Sequence, residues 1–420
     1  MQSLNPAQSF FVWSITGGTL AGVIFRPRQW PEAVWACLGA TLLVLCRLVS
    51  PDTAFHAAAK GADVYFFLTG MMLLAEMARR EGVFDWLATL AVRASRRSPT
   101  RLFALVYAVG ILVTVFLSND ATAVVLTPAV YAAVRKARAD ALTYLLICAF
   151  IANAASFVLP ISNPANLVVY RTSLPPLLAW LRAFVLPSVC SIAATYAMLR
   201  WILRGELRAE VHFPPDPAAL SRKGRNAAWG LIASAAVLLT ASGLGIDLGL
   251  PTCVVAAVSV LIAVGWRESL PIARGVSWSV LPLVAGLFVL VEALNRSGCL
   301  VATLYLFHQC SALPHWAGAL AASFGIAALS NVLNNLPSGL LAAGALQAAH
   351  FPPSIRDSVL IGVDLGPNLS VTGSLATILW LIALRREGIH ISAWRFLKIG
   401  VLVMPPALFL AALASSLFTK

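Results

Sequence analysis

Long apolar runs separated by short basic or polar connections make up most of the chain, and about 20 apolar residues suffice to cross a bilayer as a helix. On that measure the pattern predicts ten crossings, at 9–25, 33–49, 62–78, 141–170, 177–203, 226–244, 251–266, 277–294, 357–384 and 399–417. Two further apolar stretches, 101–134 and 316–349, are each interrupted by a polar cluster, Ser118-Asn119-Asp120 and Ser330-Asn331-Val332-Leu333-Asn334-Asn335. Irregular polar backbone at membrane depth is tolerated where protein buries it, so both stretches are expected as re-entrant hairpins. The predicted fold is an all-α polytopic membrane protein of ten transmembrane helices and two hairpins.

Composition narrows the class. Of the 420 residues 60% are hydrophobic and 11% charged, whereas a soluble domain carries roughly a quarter charged residues. Soluble enzymes and nucleic-acid-binding modules are thereby excluded. The net charge of +13 comes from 30 Lys and Arg against 17 Asp and Glu. With the layout above, only Arg47, Lys60, Arg171, Arg182, Arg296, Arg356 and Lys420 fall on one side of the membrane, and every other Lys and Arg falls on the opposite side. The positive-inside rule makes that basic side cytoplasmic and puts both termini outside. Met1 to Gln8 holds no Lys or Arg, so the first apolar run is expected to remain as a helix rather than to be removed as a leader. The seven cysteines include no C-x-x-C pair and sit mostly in apolar segments, where a thiol behaves as a small hydrophobe.

A polar connection, 205–225, separates a first unit, 1–204, from a second, 226–420, each with five crossings and one hairpin. An odd number of crossings inverts the second unit relative to the first. Residue spacing points to duplication as well: Gly70, Glu76, Arg80 and Gly82 recur 216 positions later as Gly286, Glu292, Arg296 and Gly298. Ser118-Asn119 is matched 212 later by Ser330-Asn331, and Leu159 and Ser162 are matched 210 later by Leu369 and Thr372. Six basic residues lie in the connection 79–101 and one in its counterpart 295–317, as opposite faces require. Internal symmetry of this kind marks secondary transporters, whose sites lie near the midplane at interrupted helices. Besides the two hairpin tips, breaks are predicted at Pro160 to Asn166 and at Asp364 to Ser374, where proline ends the hydrogen-bond ladder and short polar side chains satisfy the freed backbone.

At these interruptions the sequence resembles the arsenite efflux permeases, the arsenical pump membrane proteins of the ArsB type, within an ion-transporter superfamily that also includes sodium/proton antiporters and dicarboxylate carriers. The residues that carry the resemblance are Ser118-Asn119-Asp120 followed by Pro128, Ser162-Asn163 with Asn166, Asn334-Asn335-Leu336-Pro337, and Asp364-Leu365-Gly366-Pro367 followed by Gly373-Ser374-Leu375-Ala376-Thr377. The resemblance implies export of As(III) and Sb(III) in exchange for protons, across a bacterial inner membrane. It also implies a cytoplasmic ATPase partner of the ArsA kind and, by superfamily analogy, a homodimer. Two positions depart from the family pattern: Asn153 stands where an acid is expected and Asn368 where a lysine is expected.

Arsenite near neutral pH is mostly uncharged As(OH)3, for which amides and hydroxyls are suitable partners. The candidate substrate-binding residues are therefore Ser118, Asn119, Ser162, Asn163, Asn166, Asn331, Asn335, Thr372 and Gly373. Asp120 and Asp364, acids at midplane breaks, are the candidates for proton coupling, because an ionisable residue at that depth is a functional one by default. The competing reading of all these residues is that they only cap helix ends and satisfy backbone. Glu76 and Glu292, each with arginine at i+4, fit intrahelical ion pairs, and His308 and His315 are expected in an outer loop. No P-loop, H-E-x-x-H or G-x-S-x-G motif occurs, so the energy must come from a gradient or a partner, and no cofactor or resident metal is expected. Three other functions fit the pattern: a sodium-coupled carrier of a dicarboxylate or other anion, a sodium/proton antiporter, and a passive metalloid channel.

Overall fold

The computed structural model describes residues 5–170, 174–208, 211–212 and 219–418, so Arg171, Lys420 and part of the expected linker lie outside the described residues. All of its regular elements are helical. The first half runs α1 (Pro6–Phe25), α2 (Glu32–Leu45), α3 (Pro51–Ala59), α4 (Ala62–Arg80), α5 (Val83–Ala94), α6 (Pro99–Phe116) and α7 (Asn119–Ala121). A π-helical stretch (Thr122–Leu126) carries α7 into α8 (Thr127–Lys136), followed by α9 (Ala141–Ala154), α10 (Pro164–Val169) and α11 (Leu177–Ile202). The second half holds α12 (Arg222–Gly243), α13 (Gly249–Val264), α14 (Trp266–Gly275), α15 (Val280–Leu294), α16 (Leu300–Ala312) and α17 (His315–Leu333). It ends with α18 (Asn335–Ala348), α19 (Pro353–Leu365), α20 (Leu375–Arg386) and α21 (Ala393–Phe418). Helix starts follow local chemistry: Asn5-Pro6, Ser50-Pro51 and Ser98-Pro99 each put a side-chain acceptor at the cap and proline in the first turn.

Among the described residues six helical runs are long and apolar enough to cross a bilayer: α6, α11, α12, α17, α21 and Val280–Ala312, in which α15 and α16 join through a π turn. A seventh forms if α3 and α4, bent by 49°, act together. Of the other expected crossings, 9–25 lies in the unbroken 20-residue α1, and the rest are short or broken helices. Thus 141–170 is α9, a 3-10 turn at Pro160–Ser162 and α10, and 357–384 is contained in α19, a 3-10 turn at Gly366–Leu369 and α20.

The chain turns back at 117–118, for the hydroxyls of Thr114 and Thr122 meet at 2.8 Å, a contact that residues eight apart on a straight helix, about 12 Å along the axis, could not make. In the second half α17 ends at Asn334, which adopts φ 78° and caps α18. The connections 79–101 and 295–317, expected as loops because they interrupt the apolar runs, are largely helical, as α5 and α16. His308 accordingly sits on α16 with its ring 5.0 Å from that of Phe351, and His315 opens α17, neither in a loop.

The two halves pack reciprocally. α4 lies along α13, and α15 along α2. At the first crossing a Cβ on Gly70 would come within 2.5 Å of the Thr252 carbonyl oxygen; at the second a Cβ on Gly286 would come within 2.8 Å of the Ala36 carbonyl. Gly70 and Gly286 are 216 apart, and so are Ala36 and Thr252. The two longest helices, α11 and α21, both of 26 residues, also run along each other. Of the two glycines of Gly18-x-x-x-Gly22, only Gly22 serves close packing, against the Trp35 ring; Gly18 faces open space.

The expected ion pairs form, each with an extra partner. Glu76 receives Arg80 at 2.7 Å and Arg79 at 2.6 Å, while Glu292 receives Arg296 at 3.1 Å and, from another helix pair, Lys60 at 3.4 Å. The packing at the glycine crossings leaves no room for a side chain, and overpacking costs about 1–3 kcal/mol. Gly70→Leu and Gly286→Leu are each expected to lower the thermal denaturation midpoint of the detergent-solubilised protein, whereas Gly18→Leu, facing open space, should leave it unchanged.

Candidate functional site

Four helices begin at breaks inside the molecule, and each start is capped by the residue before it. Ser118 Oγ accepts from Ala121 N at 3.1 Å, Asn163 Oδ1 from Ala165 N at 3.0 Å, Asn334 Oδ1 from Leu336 N at 3.4 Å and Ser374 Oγ from Thr377 N at 3.1 Å. These starts converge on one small cavity, of about 20 Å3, lined by Asn119 and Asp120 of α7, Asn163 and Pro164 at α10, Asn335 and Leu336 of α18, and Leu375 and Ala376 of α20. Its remaining walls are Leu68 of α4 and Val280 and Val284 of α15. Helix amino-termini carry partial positive charge, so the cavity is bordered by positive ends and by apolar side chains.

Asp120 is the ionisable residue on this lining. Among the described residues no hydrogen bond or ion pair reaches its carboxylate, although its backbone N–H donates to Asn119 Oδ1 at 2.9 Å. Asn335 is likewise uncommitted: its N–H donates to the Gly373 carbonyl at 2.8 Å, and among the described residues its side-chain amide has no partner. A volume of 20 Å3 admits about one water, so the polar groups lie close around it. No three of the His, Cys, Asp and Glu side chains among the described residues cluster as a metal site would need.

The other predicted residues hold the breaks together. Asp364 is fully buried away from the cavity, accepting from Ser156 Oγ and from Asn163 Nδ2, both at 2.8 Å. Ser162 Oγ donates to the Val115 carbonyl at 3.0 Å, tying the end of α6 to the turn before α10. Asn166 Nδ2 reaches the carbonyls of Ser156, Leu159 and Pro160 at 2.9, 3.1 and 3.3 Å, freed acceptors of that break. At the second tip Asn331 Nδ2 donates to Ala327 and Gly366 carbonyls at 2.8 and 2.9 Å, its Oδ1 accepts from Ser370 Oγ at 2.6 Å, and Thr372 Oγ1 donates to its carbonyl at 3.1 Å. Gly373 is a glycine by necessity, because a Cβ there would lie 2.6 Å from Pro367 and 2.8 Å from Asn331 Oδ1.

The structure therefore gathers Asn119, Asp120, Asn163 and Asn335 at one cavity. Ser118, Ser162, Asn166, Asn331, Thr372, Gly373 and Asp364 support it from behind. The helices after the tips begin at Asn119 and Asn335, 216 apart, so the spacing of the glycines continues through the tips. The sequence match of Ser118-Asn119 with Ser330-Asn331 at 212 is a local coincidence of residue types, and the structural counterpart of Ser118 as a cap is Asn334. Leu68, Val280 and Val284 escaped the sequence reading because apolar residues on unbroken helices carry no signal of their own; the 216 spacing of Leu68 and Val284 is the one clue.

Asn153 and Asn368, the two departures from the family pattern, touch: Asn153 Nδ2 donates to Asn368 Oδ1 at 3.0 Å, and both are fully buried. Asn368 Nδ2 also donates to the Phe150 carbonyl at 2.9 Å.

Comparison with known proteins bears on the whole chain. A family model described as citrate transporter matches residues 20–365. The arsenical pump membrane protein of Escherichia coli K12 is 27% identical, covering 94% of this chain and 96% of that protein. The one from Yersinia enterocolitica is 30% identical over 82% and 84%. An uncharacterized transporter of Mycobacterium tuberculosis H37Rv is 25% identical over 89% and 90%. Among solved structures, the YdaH transporter of Alcanivorax borkumensis superimposes with a TM-score of 0.56 at 14% identity, covering 92% of this chain and 96% of that one. That likeness is one of fold.

The Asn153–Asn368 contact generates a double-mutant test. Asn368→Lys alone buries an unpaired ammonium, a change of about 3–5 kcal/mol, and should sharply reduce the yield of folded protein. Adding Asn153→Asp should restore it, as scored by size-exclusion profile and thermal midpoint. Additive losses would show that the two sites do not act as a pair.

Proposed function

The chain belongs to the citrate-transporter family and, within it, to the arsenical pump membrane proteins, and on that footing we propose that it is a secondary exporter of arsenite, and of antimonite, in exchange for protons. It is a multi-pass membrane transporter. The reading assigns it ten crossings and two re-entrant hairpins in two inverted repeats, with both termini outside a bacterial inner membrane. The reciprocal glycine crossings and the 216 spacing shared by the tip helix starts Asn119 and Asn335 support that arrangement.

The observation that carries the proposal is the carboxylate of Asp120 on a cavity ringed by four helix starts and without a protein partner. The positive ends of the helices offset one negative charge, so a neutral solute meets a balanced site. As(OH)3 offers hydroxyl donors, and ionised Asp120 offers the matching acceptor. A proton takes one of the two oxygens and removes the charge that makes the carboxylate a strong acceptor, so proton and metalloid each weaken the hold on the other. Competition of that kind couples the two as exchange. Asn119, Asn163 and Asn335 supply the remaining amide contacts, while Asp364 acts through Asn163, whose amide it orients. The coupling expected of both aspartates is thus drawn to Asp120 at the cavity, with Asp364 in support.

Because the cavity admits about one water, substrate enters only when the hairpins and broken helices (α6 to α10 and α17 to α20) move against the remaining helices. A cytoplasmic ATPase partner and a homodimer remain part of the proposal through the resemblance alone. The second reading, a sodium-coupled anion carrier, draws on the same four positive helix ends, which suit a carboxylate, but Asp120 opposes an anion there.

The test is arsenite accumulation in everted vesicles under an imposed proton gradient, without ATP or sodium. Uphill uptake that a protonophore collapses is expected, falling to background in Asp120→Asn. Uptake that requires sodium, or that succinate competes away, would overturn the arsenite reading in favour of the anion carrier. Uptake that Asp120→Asn leaves intact would remove Asp120 from coupling.

A further inference from the structure

α6 and α11 face each other without interlocking along the stretch where Tyr107 donates to the Ile192 carbonyl at 2.7 Å. Tyr196 rests edge-on against Tyr107 at 5.1 Å and against Phe103 at 5.6 Å, so aromatic rings span the gap in place of meshed helix ridges. One further turn along, Arg200 donates to Thr100 Oγ1 at 3.3 Å, and the gap opens into a cavity of about 370 Å3. It is lined by Thr100, Ala197, Arg200, Trp201, Arg204 and Leu207, with two guanidinium groups and no acid. Among the described residues neither arginine is ion-paired; Arg204 lies over the Trp201 ring at 6.0 Å.

From this cavity a lipid-facing row climbs α11 in steps of four, Trp201, Ala197, Ala193 and Val189, all exposed. The two alanines make the row a shallow furrow. Trp201 is 53% exposed, and tryptophan at a helix end marks the level of lipid headgroups.

We propose that this cavity binds the phosphate of an anionic phospholipid, with the acyl chains lying in the furrow along α11. Two unpaired guanidinium groups suit a phosphodiester, and guanidinium recognises phosphate through paired N–H donors. The amino-terminal turn of α6, at Thr100, adds positive potential on the same side. A free anion needs none of the adjoining apolar surface, whereas a phospholipid uses both parts at once. Basic pockets between membrane helices hold lipid headgroups in this way. Bound lipid closes a gap that protein side chains span with only three rings, and so fastens α6 to α11. The inference depends on membrane insertion alone and not on the transported solute.

The experiment titrates the detergent-solubilised protein with phosphatidylglycerol, phosphatidylcholine or inorganic phosphate and reads the thermal denaturation midpoint and lipid affinity. Phosphatidylglycerol alone should raise the midpoint, and the Arg200→Ala, Arg204→Ala double variant should bind it about thirtyfold more weakly. The Arg200→Lys, Arg204→Lys variant keeps charge and should retain part of the effect, which guards against misfolding as the cause. Bromine-labelled phosphatidylglycerol should quench emission that is missing in Trp201→Phe. An equal effect from phosphatidylcholine, an effect from inorganic phosphate alone, or unchanged affinity in the double alanine variant would overturn the proposal.

Discussion

Every break in a membrane-embedded helix releases backbone N–H and C=O groups into surroundings without water, and an unsatisfied group there costs several kcal/mol. That constraint organises this molecule more than any pair of charges. Each of the four internal helix starts spends an Ser or Asn on its own first turn, and Asn166 and Asn331 collect the carbonyls left on the other side of the breaks. The polar residues of the site are consequently of two kinds. Most side-chain atoms that face the backbone are taken, Asn166 Oδ1 being an exception among the described residues, whereas at the cavity the Asp120 carboxylate and the Asn335 side-chain amide have no partner among the described residues.

The breaks could not be brought together without the close crossings of α4 with α13 and of α2 with α15. Leu68 and Val284 sit on α4 and α15, so the helices locked by Gly70 and Gly286 also present the apolar walls of the cavity. Cross-packing repeats at the broken helices, where α18 lies against α10 and Gly339 approaches Val169. Stability and site geometry therefore share the same contacts. The near-symmetry stops at the chemistry, for Asp120 and Leu336 are 216 apart and oppose a carboxylate to an isobutyl group.

Much of this was legible in the sequence, and the reasons for the failures are physical. Proline, asparagine and serine inside apolar runs announced the breaks, because few other residues survive there. The spacing of Gly70 and Gly286 announced the reciprocal packing. The connections at α5 and α16 read as loops in the sequence because basic residues and a left-handed glycine, Gly82 at φ 74° or Gly298 at φ 98°, flank or interrupt helices that are individually too short to span. The register of the tips slipped because Ser-Asn recurs as a residue pair while the structure counts from the cap, which in the second half is Asn334 in a left-handed conformation. Residue type alone also could not divide Asp120 from Asp364. Burial and donors decide that, and they depend on Ser156 and Asn163 arriving from another part of the chain.

A cavity with room for about one water, walled in part by Leu68, Val280, Val284 and Leu336, has a bearing on the cell that houses the protein. Protons cross membranes along continuous threads of water, and a space of about 20 Å3 beside Asp120 has too little room for such a thread. An exporter at rest in this shape would conduct protons poorly. A cell may hold many copies idle in its membrane without draining the electrochemical store that drives its other work, which sets this arrangement apart from a metalloid pore that would dissipate gradients whenever it stood open.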